Sequence, residues 1–582
     1  MRTSPVAACL FSMAVFSAAG APGDLDMAFN PDVAVPGGNP IYTAVPEPQG
    51  GILIGGGFHT VGGVRHPYFA RLFANGALDA SFNPNAGGPV RATGTLRNGK
   101  IIAAGEFTAA QGTTRNRIAQ YSPEGTLDPV FDPNADGFVN GLLVQPDDRI
   151  VFNGLFTSLH GTARNRAARD NPNGTLDPQF NPGADNNVRG MALQPDGNVL
   201  LAGVFTTLGG LPRNRIARVL SDGSPDTDFN PNANGEVYCV VLQPDGKVLI
   251  GGDFTTVAGV SRTRLARLQP NGSLDPSLNV SVNGIVRWIM MQTDGKILLG
   301  GEFTTVGGVT RNRIARLLAT GTLDTTFNPN ANERVYCASM YADGRILIGG
   351  NFTSVGGTAR NSVARLANDP ANQSLAVPSP AQVQWLRGGA SPETNQVTFE
   401  YSSDGESGWT LLGSAVRITG GWELAGLTLP ANGLIRAGAR TTGGYGNGSS
   451  VLLETVTAYS FSPIEIWRHT HFGTIANSGS AALDADPDLD GMDNLLEFAF
   501  GLDPNTPDAA ELPAWEQNDD DFVLTFTSPP DAGNTTYIAE YSSSLEPESW
   551  TPIPNTSSPP HYKFYAPVRA GRRLYLRSRI TP

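Results

Sequence analysis

Cysteine is almost absent from the sequence, with only three among 582 residues. Apart from one cysteine near the amino terminus, only Cys239 and Cys337 remain. They lie at equivalent positions two units apart in a sequence repeat of 49 residues that is described below. Such positions seldom touch in a repeat protein, whereas a disulfide needs Cα atoms within about 7 Å of each other. We therefore expect two small buried side chains and no disulfide.

Basic residues are too few for a general nucleic-acid binder. Lys and Arg number 40 against 53 Asp and Glu, which gives a net charge of -13 and a pI near 5.0. A nucleic-acid surface needs excess positive charge to displace the counterions of the phosphates. We expect no nucleic-acid partner.

Long hydrophobic runs are confined to the amino terminus. Residues 6–19 read VAACLFSMAVFSAA, after Arg2 and before several small residues. This layout predicts a signal peptide over residues 1–21 and a secreted or cell-surface protein, with a buried strand or helix as the alternative. No later run approaches the roughly 18 apolar residues of a membrane helix, so we expect no membrane span.

Sustained helical periodicity is also lacking, while turn residues are abundant, with 69 Gly and 44 Pro. A phenylalanine recurs every 49 residues, at Phe58, Phe107, Phe156, Phe205, Phe254, Phe303 and Phe352. Each unit contains short β-rich runs separated by turns such as QPDGK at 243–247, which indicates about four antiparallel strands. Seven such units predict a seven-bladed β-propeller over residues 24–369, with a β-solenoid as the alternative.

The two ends of the repeat region support a closed ring. The element LDxxFNP first occurs at 25–31, before the first full unit, and the last unit lacks its own copy. An amino-terminal piece that completes the last blade would leave no open sheet edge. The pattern PDGKxLxGGxFTxxGGxxRNRIARL followed by GxLDxxFNPNA resembles the delta-60 repeat, an exported bacterial β-propeller family. The resemblance implies a fold but no activity.

Arginines recur within the motif RNRIARL. One series comprises Arg115, Arg164, Arg213, Arg262, Arg311 and Arg360, and a second comprises Arg117, Arg166, Arg215, Arg264 and Arg313. Aspartates recur as regularly in the outer element, from Asp26 and Asp79 to Asp324. We expect arginine bonds to carboxylates or to the backbone that hold each blade, rather than a ligand site in one blade.

Positions that differ between copies are better candidates for a ligand site. Sixteen residues before the phenylalanine, the side chains are mostly Tyr or Arg, and Trp288 follows one of them. The predicted channel-mouth residues are Tyr42, Arg91, Arg189, Tyr238, Arg287, Trp288 and Tyr336. They could stack as cation–π pairs between blades or present a polar ring to a ligand.

No catalytic constellation stands out. Glu106, Asp253 and Glu302 precede the repeated phenylalanine, and paired carboxylates can cleave glycosides. A glycosidase or polysaccharide lyase acting at the channel mouth is therefore the alternative to a non-enzymatic binding or scaffold protein. For the latter we expect a monomer whose ligand is an extracellular polymer or protein.

The repeat stops after residue 369, and the sequence then predicts a linker at 370–377. Alternating strands at 378–460 resemble a fibronectin type III or other immunoglobulin-like sandwich. The sequence EYSSDGESGWTLL at 400–412 is echoed by EYSSSLEPESWTPI at 540–553, which predicts a second small sandwich over 511–582. The fold class is thus all-β, with a short helical calcium-loop segment at 461–510 between the two sandwiches.

That segment carries the most specific motif, DPDLDGMDNLLE at 486–497. It matches the pattern of a calcium loop, and the predicted ligands are Asp486, Asp488, Asp490, the carbonyl of Met492, Asn494 and Glu497. The motif resembles dockerin or thrombospondin type 3 loops, and the alternative is an acidic helix N-cap. We expect a structural Ca²⁺ ion that stiffens the junction between modules.

Overall fold

A computed structural model of the chain describes residues 20–34, 40–406, 408–441, 451–508, 511–518, 521–533, 535–544, 546–567 and 575–581. The predicted signal peptide lies almost wholly outside these residues. Within the described ranges, no helix is long and apolar enough to cross a membrane. Cys239 and Cys337 are buried and unpaired, as expected.

Seven equivalent antiparallel sheets form the blades of a β-propeller, which confirms the predicted fold class. Their inner strands are Ile41–Pro46, Val90–Thr95, Val139–Val144, Val188–Leu193, Val237–Leu242, Val286–Met291 and Val335–Met340. The middle strands are Ile52–Gly56, Ile101–Gly105, Ile150–Gly154, Val199–Gly203, Val248–Gly252, Ile297–Gly301 and Ile346–Gly350. The third strands are Phe69–Leu72, Ile118–Tyr121, Ala167–Asp170, Ile216–Val219, Leu265–Leu268, Ile314–Leu317 and Val363–Leu366.

A short hairpin, made of two strands of two residues each, lies between the middle and third strands of every blade. These hairpins pair Thr60–Val61 with Val64–Arg65, Ala109–Ala110 with Thr113–Thr114, Ser158–Leu159 with Thr162–Ala163, Thr207–Leu208 with Leu211–Pro212, Thr256–Val257 with Val260–Ser261, Thr305–Val306 with Val309–Thr310, and Ser354–Val355 with Thr358–Ala359. In the first blade, Val33–Ala34 adds a further strand. The tight turns explain the repeated glycines, since Gly307 and Gly308 both have positive φ.

The middle strands are buried along their whole length, and their aliphatic side chains fill the space between blades. The fourth β element of each blade is a single bridge rather than a full strand. Leu317, for example, ends a third strand and bridges Leu323 of the outer LDxxFNP element. The sheet proper therefore has three strands, one fewer than the turn spacing suggests.

The ring closes through the amino-terminal copy of the outer element. Leu25 bridges Leu366 of the seventh blade, as Leu323 bridges Leu317 in the sixth. The backbone N–H of Asp26 donates to the carbonyl of Arg365 at 2.8 Å. The prediction that the first residues complete the last blade is thus confirmed.

Arginines hold the blades, and each of the three in RNRIARL does so differently. Arg311 donates to the carbonyls of Thr310 at 2.8 Å and Thr325 at 3.1 Å. Arg313 donates to the carbonyl of Glu302 at 2.6 Å. The carboxylate bond belongs to the third arginine, Arg316, which lies 2.8 Å from the outer aspartate Asp324.

In several blades the arginine equivalent to Arg316 also bonds to the next blade. Arg218 donates to the carbonyl of Pro270 at 2.8 Å, and Arg365 donates to that of Ala74 at 2.7 Å across the closure. The repeated arginines are therefore structural. The two series singled out from the sequence bond mostly to backbone carbonyls, whereas Arg264 pairs with the Asp253 carboxylate at 3.1 Å.

A two-sheet module follows the propeller. One sheet contains, in order, Ala371–Ser379, Gln382–Gly389, Gly421–Ala425 and Val416–Ile418, and the other contains Thr410–Ser414, Thr394–Ser402, Asn432–Thr441 and Val451–Ser460. The prediction of a linker at 370–377 is wrong, because Ala371–Ser379 is a strand. Leu375 and Val377 on this strand pack against the core around Trp385 and Phe399, and this burial of apolar side chains explains why the segment forms a strand.

Two α-helices occur in the described residues, α1 over Pro463–Phe472 and α2 over Asn494–Phe500. Six further strands form two three-stranded sheets, one of Glu516–Gln517, Asp521–Thr527 and His561–Pro567, the other of Thr551–Ile553, Thr536–Ser542 and Tyr575–Thr581. Phe500 at the end of α2 contacts Phe526 and Tyr537, with ring centroids 5.2 and 5.8 Å away. The helical segment is thereby packed onto the last two sheets.

Candidate functional site

The variable positions predicted to line the channel mouth share one structural feature. In every blade the pairing of inner and middle strands shifts by one residue at this point, for example between Val237 and Cys239. A β-bulge frees one residue from the ladder and redirects its side chain. The bulged residues are Tyr42, Arg91, Asn140, Arg189, Tyr238, Arg287 and Tyr336.

Six of these seven side chains stack in an arc around the axis. Arg287 lies over the rings of Tyr238 at 4.9 Å and Tyr336 at 4.7 Å. Tyr336 meets Tyr42 edge to face at 6.0 Å. Arg91 over Tyr42 and Arg189 over Tyr238 extend the arc at 4.6 and 4.7 Å. We name this set, together with Asn140, the mouth ring.

Asn140 differs from the other members of the mouth ring. It is buried, and its side-chain amide donates to Asn187 Oδ1 at 2.7 Å and to the carbonyl of Val188 at 3.2 Å. The stacking between blades is therefore interrupted in the third blade.

Every arginine of the mouth ring has an acidic partner. Arg91 lies 2.5 Å from Glu106, Arg189 lies 3.3 Å from Glu236, and Arg287 pairs with Glu302. The sequence did not single out Glu236, nor Arg334, which is half exposed and lies 3.3 Å from Glu302. Both sit two residues before a ring tyrosine, so the strand register could have pointed to them.

Trp288 does not belong to the mouth, contrary to the sequence prediction. The side chain is fully buried, and its indole N–H donates to the carbonyl of Val335 at 3.2 Å. It fills the space over Gly300 on the paired middle strand, which has no side chain. As the residue after the bulge, Trp288 points into the space between the sixth and seventh blades instead of toward the channel.

The opposite face of the propeller is in contact with the two-sheet module. Glu393 N–H donates to the carbonyl of Met291 at 2.8 Å, and Gln396 donates to those of Gln194 and Pro195 at 3.3 Å. These carbonyls lie at the far ends of the inner strands from the mouth ring. A cleft of about 800 Å³ remains at this junction, lined in part by Tyr341, Arg345 and Leu386.

The second candidate site is the acidic loop before α2. Asp486, Asp488 and Asp490 each offer an oxygen within 4.8 Å of the others. The loop is shaped by its own carboxylates: Gly491 N–H donates to Asp486 at 3.0 Å, and Met492 N–H donates to Asp490 at 2.9 Å. Gly491 has a φ of 93°, which suits glycine at this turn.

Helix capping does not account for these acids. The N-cap of α2 is Asp493, whose side chain accepts a bond from Leu496 N–H at 3.0 Å. The three loop aspartates lie before it. The alternative interpretation of the motif as an acidic N-cap therefore applies to Asp493 alone.

Glu497 is the most informative residue of the loop. It is fully buried, and neither carboxylate oxygen has a hydrogen-bond partner. Burial, together with repulsion from Asp488, Asp490, Asp508 and Asp486, raises the pKa of Glu497 to about 7. A buried carboxylate that has no cationic partner and faces other acids is costly unless it is protonated or binds a cation.

Asn494 and Asp508 complete the surroundings of the loop. The Asn494 amide donates to the carbonyls of Ser480 and Ala482 at 2.7 and 2.6 Å, which anchors the preceding segment, while its Oδ1 is buried without a partner. Asp508 lies outside the motif and was not predicted. No periodic signal could have found it, because only the path of the chain after α2 brings it to the loop.

The fold defines a β-propeller protein with additional β modules. Seven segments of the propeller match a family model described as a β-propeller domain of unknown function, DUF5122: residues 48–82, 96–131, 145–180, 194–229, 243–278, 292–327 and 342–369. These seven segments of the chain are similar to DUF5122 β-propeller repeats. No curated protein matches the sequence of the chain.

Several solved structures are similar in fold. A streptogramin B lyase structure is 15% identical, with 52% of this chain and 91% of that chain covered and a TM-score of 0.31. PorZ, a surface component of the type-IX secretion system of Porphyromonas gingivalis, is 13% identical over 74% and 51% of the two chains, at 0.31. YCF48 bound to D1 peptide is 11% identical over 53% and 90%, also at 0.31.

Proposed function

We propose that this chain is an exported, non-enzymatic binding or scaffold protein. Its propeller presents the mouth ring to an extracellular polymer or protein, and a structural Ca²⁺ ion organises its helical segment. Export is supported by the signal-peptide layout of residues 1–21. The observation that carries the non-enzymatic assignment is the pairing of the acids beside the mouth ring with arginines.

Glycoside cleavage needs one carboxylic acid that keeps its proton and a second carboxylate as base or nucleophile. Arg91 faces Glu106, and Arg287 and Arg334 both face Glu302. The guanidinium groups thus occupy both carboxylates, which leaves neither acid directed at a glycosidic bond. The same arginines and the stacked tyrosines offer planar, amphipathic surfaces suited to binding.

A panel of glycans, cell-wall polymers and surface proteins, assayed for both retention and cleavage, tests this proposal. We expect at least one polymer or protein to be retained by the full chain and none to be shortened. Release of new reducing ends or unsaturated products would instead establish a glycosidase or lyase.

The calcium part of the proposal rests on Glu497. Ca²⁺ takes six to eight oxygen ligands, and the loop supplies the carboxylates of Asp486, Asp488, Asp490 and Glu497, with the carbonyl of Met492 at the position that the motif assigns to a backbone ligand. A bound divalent cation would remove the repulsion among these acids and provide the partner that the buried Glu497 lacks.

Titration calorimetry with Ca²⁺ tests the site. We expect one equivalent to bind the parent chain and binding to be lost in Glu497→Gln. Asp484→Asn is the matched control, because Asp484 is exposed and lies just before the motif. Equal binding by Glu497→Gln and the parent would refute the site.

A further inference from the structure

Asp508 lies against the acidic loop although it is 18 residues from Asp490 in sequence. Its backbone N–H donates to Asp490 Oδ2 at 2.9 Å. Its own Oδ2 accepts a bond from Asp503 N–H at 3.2 Å, which fixes the side chain within the turn that follows α2. The segment after the helix thus folds back onto the loop.

The other oxygen of Asp508 is left without a partner. Oδ1 is buried and has no hydrogen bond, as is also true of Asp486 Oδ1, Asp488 Oδ2 and both oxygens of Glu497. Unpaired acceptors therefore lie on the loop, on α2 and on the segment that folds back onto the loop. Buried acceptors normally have a partner, and a cation is a partner that several carboxylates can share.

Asp508 also adds negative charge to the loop. The proposed ligands within the motif include four carboxylates, and Asp508 brings another acid beside them through its contact with Asp490. Repulsion of this kind destabilises the folded segment when no cation is bound. The number of anionic ligands is one of the features that sets the calcium affinity of such loops.

We propose that Asp508 is an additional ligand of the cation held by the 486–497 loop, so that the cation fastens the segment 501–508 to that loop. The inference rests on the calcium site proposed above and extends it beyond the motif. Asp508 supplies a fifth carboxylate from a part of the chain that the motif does not include.

The position of α2 gives this ligand a mechanical consequence. The helix carries Glu497 in the loop site and Phe500 in the aromatic contact with Phe526 and Tyr537. The Tyr537 hydroxyl also donates to the carbonyl of Ala499. Cation binding at both ends of the segment Glu497–Asp508 would therefore fix the chain where it enters the carboxy-terminal sheets.

Calorimetry on the full chain separates the role of Asp508 from that of the loop. We expect Asp508→Asn to bind one Ca²⁺ at least about tenfold more weakly than the parent, as is typical when a supporting or peripheral ligand is removed. Asp503→Asn is the matched control, since Asp503 is exposed in the same turn and its backbone N–H, which the substitution leaves in place, contacts Asp508. Limited proteolysis should show that Ca²⁺ protects residues 501–508 in the parent but not in Asp508→Asn.

The outcomes are distinguishable. If Asp508→Asn binds Ca²⁺ as tightly as Asp503→Asn while Glu497→Gln does not bind, the inference falls and the loop site stands. If Glu497→Gln also binds like the parent, both fail. Thermal unfolding in excess EDTA tests whether Asp508 stabilises the fold without any cation. The unfolding midpoint of Asp508→Asn should then be no lower than that of the parent. A lower midpoint would overturn the assignment of Asp508 as a ligand.

Discussion

Arg365 in the seventh blade pairs with Asp26, 339 residues earlier in the chain, at a distance of 2.8 Å. Arg316 and Asp324 make the same contact within the sixth blade, also at 2.8 Å. The amino-terminal element therefore makes the same contacts as the outer elements of the other blades. It differs in that it is far from the seventh blade in sequence and is held there by non-covalent contacts alone. Closure of the ring depends on these contacts.

Truncation of Phe29 tests the closure. This side chain is fully buried, and Arg365 lies over its ring at 4.5 Å. We expect Phe29→Ala to lower the free energy of unfolding by about 3–5 kcal/mol, as for other buried aromatic residues. Phe327→Ala, at the equivalent position of the sixth blade, should cost about the same. Denaturant unfolding that shows a loss for Phe327→Ala but none for Phe29→Ala would mean that the ring is not closed this way.

The packing of Trp288 over Gly300 can be tested with paired substitutions. The indole ring occupies the position that a side chain at residue 300 would take. Trp288→Ala should destabilise the fold by about 3–5 kcal/mol through loss of a buried aromatic side chain. Gly300→Ala should cost about 1–3 kcal/mol, since its methyl group would meet the indole ring. The two losses should not add in the double variant, because removal of the ring makes room for the methyl group. Additive losses would show that the two residues do not compete for this space.

The third blade contains a buried acid that the other blades lack. Asp170 ends the third strand, where four other blades have Leu, and His160 Nε2 lies 3.1 Å from both of its oxygens. Replacement of a largely buried, hydrogen-bonded polar pair by apolar residues can be neutral or stabilising. We expect His160→Gly with Asp170→Leu, the pair found in blades 1, 6 and 7, to raise the thermal midpoint.

The gain should depend on pH. Burial raises the pKa of Asp170, although the bond from His160 partly opposes it. The folded parent thus holds this proton more tightly than the unfolded chain, and the associated stability is lost as the pH rises through the raised pKa. The midpoint difference between the double variant and the parent should therefore be larger at pH 7 than at pH 4. A difference that shrinks over this range would contradict the sign of the shift.

Much of the propeller could be predicted from the repeat alone. The 49-residue spacing of Phe58 to Phe352 fixes the number of blades, and the early LDxxFNP element indicates ring closure. The regular arginines were expected to bond to carboxylates or to backbone, and Arg311 and Arg313 bond to backbone. Arg316, on the strand Ile314–Leu317, pairs with Asp324, whereas Arg311 precedes that strand.

Features that depend on register or on the path of irregular chain were harder to predict. The β-bulge separates Arg287 at the mouth from Trp288 in the interior, and the sequence placed both at the mouth. The edge strand Ala371–Ser379 resembled a linker, since its residues are small or polar and include a proline. The ligands that the 486–497 motif predicts stay predictions, and the approach of Asp508 to the loop depends on a turn outside the motif. The resemblances to delta-60 repeats, fibronectin type III modules and dockerin loops stay predictions.

Affinity measurements at the mouth ring test the central claim most directly. With a polymer or protein retained in the binding panel, we predict that Arg287→Ala weakens binding by about tenfold or more, since Arg287 stacks on two tyrosines of the ring. Arg345→Ala in the cleft on the opposite face and Arg149→Ala at an exposed turn should leave the affinity unchanged. Unchanged affinity in Arg287→Ala, or a loss confined to Arg345→Ala, would contradict the assignment of the mouth ring as the binding surface.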